Sequence, residues 1–184
     1  MEMVNQYKAT VIQAGSEMFD KDKGTDKAIR FINEAGENEA KVIVFSEAFI
    51  PCYPRGMLFG AVVGSRSQQG REDFTRYWKN AIQVPGKETE RIAKAARDAK
   101  AYVVIGVVEK DSESSEGTLY CTVLFFGPDG TLLGKHRKLK PTGSERLIWG
   151  EGDGHHACIR HPVRENWSTY LLGKLYAARS RSHV

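Results

Sequence analysis

The chain has 184 residues, 41% of them hydrophobic, which suits one domain with a substantial core and excludes a disordered chain. Net charge is +4, but residues 1–154 hold 22 basic and 22 acidic side chains, so the whole excess lies in 155–184 and argues against a nucleic-acid partner. No apolar run approaches a membrane span, the opening MEMVNQYKATVIQAG lacks a secretory or transit layout, and three scattered cysteines make no disulfide framework, so the expected setting is the cytosol.

In chain order, YKATVIQA (7–14) alternates loosely and reads as a first strand. Residues 21–39 place Ala28, Ile29, Ile32 and Ala35 near helical spacing, which predicts an amphipathic helix. KVIVF (41–45) is a second strand, a glycine-rich loop covers 56–70, and a short helix is expected over 74–82. Pro85-Gly86 makes a turn before a helix that puts Ile92, Ala95, Ala96 and Ala99 on one face. AYVVIGVVE (101–109) is a buried strand. A further strand over 118–126 meets GPDG, a hairpin turn, and TLLGKHRK returns from it. The pattern is α/β with a mixed sheet. Strands buried on both faces, with crossover helices on one, leave the other face to be covered by a second sheet.

Two stretches carry candidate chemistry. In VIVFSEAFIPCYPRG (42–56) an apolar strand runs into Glu47 beneath a proline-rich turn. Burying a carboxylate without a partner costs several kcal/mol, and ligands in open α/β sheets bind beyond the carboxyl ends of strands. A strand-end acid that is solvated or paired with an arginine is the plainer alternative. In GKHRKLKPTGSERLIWGEGDG (134–154), Lys135, Arg137, Lys138 and Lys140 cluster where the return strand ends. They read either as a solvated basic edge or as the source of one lysine that turns inward to Glu47. Glu145 could join that pair.

Together these stretches resemble the nitrilase branch of the carbon–nitrogen hydrolase family. The likeness rests on EAFI, YPRG, HRKLKPT, SER and WGEGDG in that order, with GSR (64–66), VPG (84–86) and TLYCTVLFFGPDG between them. It spans residues 7–154, as the N-terminal part of such a domain, and leaves 155–184 as a divergent basic, His-rich tail expected to pack poorly. The resemblance implies a partial α-β-β-α sandwich, with two sandwiches stacking through their outer helices, and a Glu–Lys–Cys site. Glu47 aligns with the general base, Lys138 with the lysine that stabilises the tetrahedral intermediate, and Glu145 with the glutamate that positions both.

The family's nucleophile lies in a Cys-Trp-Glu-Asn motif that this sequence does not contain, so the nucleophile is unassigned. Cys52 and Cys121 read as structural. Cys158, in HHACIRH, does not read as the required strand-to-helix elbow, and Ser180, in GKLYAARS, only echoes the family's cysteine strand. His155, His156 and His161 invite a metal reading, but no ligand spacing supports it. The implied reaction is hydrolysis of a small nitrile to carboxylic acid and ammonia, without cofactor or metal. Alternatives are an amidase of the same family, and an inactive truncated fragment or non-catalytic subunit. Homo-oligomers or association with full-length relatives are the expected assemblies.

Overall fold

The computed structural model describes residues 7–111 and 117–154. Cys158, Ser180, His155, His156, His161 and the expected poor packing of 155–184 therefore lie outside the described residues.

Five strands form one mixed sheet in the order β1-β2-β3-β4-β5. β1 (Ala9–Ile12), β2 (Val42–Phe45) and β3 (Tyr102–Lys110) run parallel; β4 (Leu119–Phe126) and β5 (Leu132–Arg137) continue antiparallel. Each parallel pair is joined through a helix-bearing crossover, as parallel pairing requires. The last two strands share the GPDG hairpin, where Gly130 takes φ 83° and donates its N–H to the Gly127 carbonyl at 2.9 Å.

Helices α1 (Lys21–Glu37) and α3 (Lys87–Ala99) lie together on one face. α1 begins at Asp20, whose carboxylate accepts from the Lys23 amide, and it buries Thr25, Ala28, Ile32 and Ala35. α3 buries Ile92, Ala95 and Ala96. These side chains meet Ile43, Phe45, Val103, Ile105, Val107, Leu124 and Phe126 in the main core. A partly buried pair, Lys21 Nζ to Glu88 at 2.8 Å, ties the starts of the two helices.

The opposite face carries a second cluster of Ala48, Cys52, Tyr77, Ala81, Val108, Leu119, Cys121 and Trp149. Tyr77 comes from α2 (Gln68–Asn80), which begins six residues earlier than the apolar pattern predicts. Its first turns, QQGRED, show no apolar stripe. They are helical because Ser67 caps Gly70 at 3.0 Å and Gly70 lies against the backbone of Phe59 and Gly60. Among the described residues no second sheet covers this face, and Val11 at its β1 edge is 75% exposed.

Gly106, at the centre of β3, fixes how closely the end of β2 approaches. A Cβ there would lie 2.5 Å from the Ser46 carbonyl oxygen and 2.7 Å from the Glu47 Cα. Its own carbonyl accepts the Phe49 N–H at 2.8 Å. Because the obstacles are backbone atoms, Gly106→Ala must push the two strands apart. It should destabilise the protein by about 1–3 kcal/mol, as overpacking does, read as a lower urea midpoint at unchanged slope; an unchanged midpoint would contradict this packing.

Candidate active site

Glu47, Lys138 and Glu145 come from three separate places in the chain and converge on the second face of the sheet. Glu47 follows β2 and is held by the tight Gly106 approach. Lys138 follows β5, and its own N–H donates to the Cys121 carbonyl at 2.8 Å. Glu145 belongs to a 3-10 turn, Gly143–Leu147, that begins at Thr142. In this turn the Thr142 N–H donates to Glu145 Oε2 at 2.6 Å, so the local hydrogen bonding that makes the turn also aims the carboxylate.

The Lys138 ammonium donates to Glu47 Oε1 at 2.9 Å and to Glu145 Oε2 at 2.8 Å. Both Lys138 and Glu145 have side chains only 9% exposed. Glu47 is more open than the sequence suggested: its side chain is 31% exposed, because it faces a cleft rather than the core.

Burial disfavours the Lys138 ammonium, but its hydrogen bonds to Glu145 and Glu47 outweigh that cost and hold its pKa above the ordinary lysine value. Burial likewise pushes the Glu145 carboxyl up. Lys138, the Thr142 amide and Tyr53 then bring it to a net value below the usual carboxylate range.

Two residues join that the sequence did not single out as site groups. Tyr53, in the proline-rich turn, donates its hydroxyl to Glu145 Oε1 at 2.7 Å. That bond, followed by burial, pushes the phenol up to about 12, so it remains a donor at neutral pH. Cys121 reads from the sequence as a structural mid-strand residue, yet its thiol lies 3.3 Å from Glu47 Oε1. Burial, then the neighbouring Glu47 charge, raises the Cys121 thiol well above its usual value. A thiol kept protonated is a poor nucleophile. Cys52 is also buried, and burial raises it too.

A cleft of about 640 Å³ opens beside the cluster, lined by Glu47 and Glu145 together with Tyr53, Met57, Leu58, Phe59, Leu147 and Ile148. The site thus offers two carboxylates, one ammonium and one phenol beside a cleft of mixed lining, to which Arg55 and Ser144 also contribute. It can accept a proton at Glu47 and stabilise negative charge at Lys138. Among the described residues, no group of three His, Cys, Asp or Glu side chains could hold a metal ion. No described helix is long and apolar enough to cross a membrane.

Residues 8–165 match the carbon-nitrogen hydrolase family. The chain belongs to that family. It is 52% identical over 147 residues to a bifunctional nitrilase/nitrile hydratase of Lupinus angustifolius, covering 80% of this chain and 41% of the relative. It is 50% identical over 151 residues to an aliphatic nitrilase of Sinorhizobium fredii, covering 82% and 47%. The chain therefore spans less than half the length of these curated relatives. Among solved structures it resembles an amidase from Nesterenkonia sp., with TM-score 0.55 at 16% identity over 83% of this chain and 51% of that one. A carbon–nitrogen hydrolase superfamily protein from Xanthomonas campestris gives 0.56 at 16%, covering 81% and 47%. At that identity the likeness concerns the fold.

The lowered Glu145 carboxyl gives stability above the ordinary glutamate pKa and loses it as pH falls through the folded value. Glu145→Gln should cost on the order of 1–3 kcal/mol at neutral pH, through its charge-assisted hydrogen bonds. The wild-type advantage should shrink as acid is added, in paired urea titrations from neutral to acid pH. A gap between the two proteins that stays constant with pH would contradict the assignment.

Proposed function

We propose that the protein supplies the acid–base part of a nitrile-hydrolysing centre. The observation that carries this is the Lys138 ammonium held between Glu47 and Glu145 beside an open cleft. In this reading Glu47 takes the proton of an attacking thiol. The thiolate adds to the nitrile carbon, giving a thioimidate whose developing charge on nitrogen Lys138 stabilises. Water then adds, ammonia leaves, and a second water hydrolyses the acyl-enzyme to the carboxylic acid and free thiol. Glu145, fixed by Tyr53 and the Thr142 amide, keeps Lys138 aimed and stays ionised.

The attacking thiol is assigned to neither Cys52 nor Cys121, because both are buried and hold their protons. What favours a nitrile over other substrates is the identity of about one half with the nitrilases of Lupinus angustifolius and Sinorhizobium fredii. The walls formed by Met57, Leu58, Phe59 and Leu147 suit an apolar substituent on that nitrile. A reducing, cytosolic setting fits the two free cysteines among the described residues.

The test joins residues 1–154 of this chain to the remaining part of the Sinorhizobium fredii nitrilase and measures ammonia release on aliphatic and aromatic nitriles. The joined protein should turn over nitriles, and Glu47→Gln or Lys138→Met should each lower kcat by about 10³-fold or more, as removing one member of a catalytic unit does. The chain alone should release no ammonia, with Cys158→Ala and Glu47→Gln beside it. A soluble joined protein that is inactive, or one indifferent to both substitutions, would overturn the proposal. Turnover by the chain alone that vanishes in Cys158→Ala would instead place the nucleophile there.

A further inference from the structure

Among the described residues, a second ionic cluster lies on the other face of the sheet, around a buried carboxylate. Glu109, in β3, is 1% exposed. Its Oε1 accepts from Lys135 Nζ and from Arg137 Nη2, each at 2.6 Å. Its Oε2 accepts from Arg137 Nε at 3.1 Å and from the Thr122 hydroxyl at 2.7 Å. The Arg137 guanidinium also stacks over the Tyr120 ring at 3.9 Å and lies 3.7 Å from Asp111. Thr122 and Arg137 are register partners on β4 and β5, and Glu109, whose own partner on β4 is Tyr120, reaches them diagonally across the same face.

Arg137 and Lys138 are consecutive, and strand alternation sends them to opposite faces. The Glu109 cluster and the ammonium between Glu47 and Glu145 are therefore linked through the backbone of this dipeptide. That backbone is fixed on both sides: the Lys138 N–H donates to the Cys121 carbonyl at 2.8 Å, and the Gly152 N–H donates to the Lys138 carbonyl at 3.0 Å. Lysine has a long, flexible side chain, so the position of its root decides where the ammonium can reach.

We propose that Glu109 is a positioning residue for Lys138: by locking Arg137 at the end of β5 it sets the strand register that delivers the Lys138 ammonium to Glu47 and Glu145. A buried carboxylate with four donors has few alternative arrangements, because any slip of β5 strands an unpaired charge. A slip of one residue would also turn Lys138 to the wrong face. Sub-ångström errors in such a group are enough to matter to catalysis. The inference takes Lys138 as the site lysine, as in the function proposed above.

The test is amine acylation of the full chain with an N-hydroxysuccinimide ester, read lysine by lysine by peptide mass spectrometry. It requires no turnover, so it can fail while the nitrile assay succeeds, and the reverse. In the wild type, Lys138 should react more slowly than the exposed lysines. In Glu109→Gln its rate should rise by about tenfold, the equivalent of one charge-assisted hydrogen bond to the ammonium. Lys21, paired with Glu88 and making no hydrogen bond to Glu109, Thr122 or Arg137, should keep its rate. Thr122→Val removes one donor and no charge; it should give a smaller rise at Lys138 alone, and it serves if Glu109→Gln does not fold. An unchanged Lys138 rate in either folded variant would overturn the proposal. So would equal acceleration of Lys138 and Lys21, which would make Glu109 a support of general stability only.

Discussion

An ammonium that must stay charged out of water constrains this structure more than any other single group. Removing Lys138 from solvent costs several kcal/mol, and only close, well-aimed carboxylates repay that. Glu47 is 91 residues away in sequence and Glu145 only seven. One contact therefore depends on the whole sheet and the other on a single turn. β2 must end where Gly106 lets it approach, β5 must return from the hairpin in register, and the 3-10 turn must fold back beneath the Tyr53 hydroxyl. An error in any of these leaves a buried charge without its partner.

The sheet divides its tasks by face. On one side, α1 and α3 cover an apolar core from β1 to β4, and the Glu109 cluster continues that side over β5. On the other, Cys121, Lys138, Trp149 and Tyr53 gather around the two carboxylates. Because successive residues of a strand alternate, a single dipeptide, Arg137-Lys138, serves both sides. The apolar walls of the cleft arise on the loop after Glu47 and on the 3-10 turn, so the segments that place the charges also shape the space beside them.

Much of this was legible in the sequence. The strands declared themselves as short apolar runs, and α1 and α3 through helical spacing of small and branched apolar residues. α2 was legible only in part, since its first turns are polar and are made helical by a serine cap and a close glycine contact. Glu47, Lys138 and Glu145 stood out through motif resemblance; composition and spacing left each with an ordinary surface alternative. Tyr53 was hidden because an aromatic between prolines reads as a turn residue. Cys121 was hidden by its mid-strand place, although hairpin counting from GPDG puts positions 121 and 138 on one face. Glu109 was read only as the last residue of a buried strand, because its partners Thr122, Lys135 and Arg137 lie on two other strands and only pairing register brings them together.

The most direct measurement is the titration of Lys138 itself, followed by carbon–nitrogen NMR of its Cε and Nζ in lysine-labelled protein as pH is raised through the ordinary lysine range. A signal lost on Lys138→Met assigns the resonance. With its pKa raised by Glu145 and Glu47, Lys138 should remain an ammonium after the exposed lysines have lost their protons. Deprotonation together with, or ahead of, the exposed lysines would mean that the two carboxylates do not hold it.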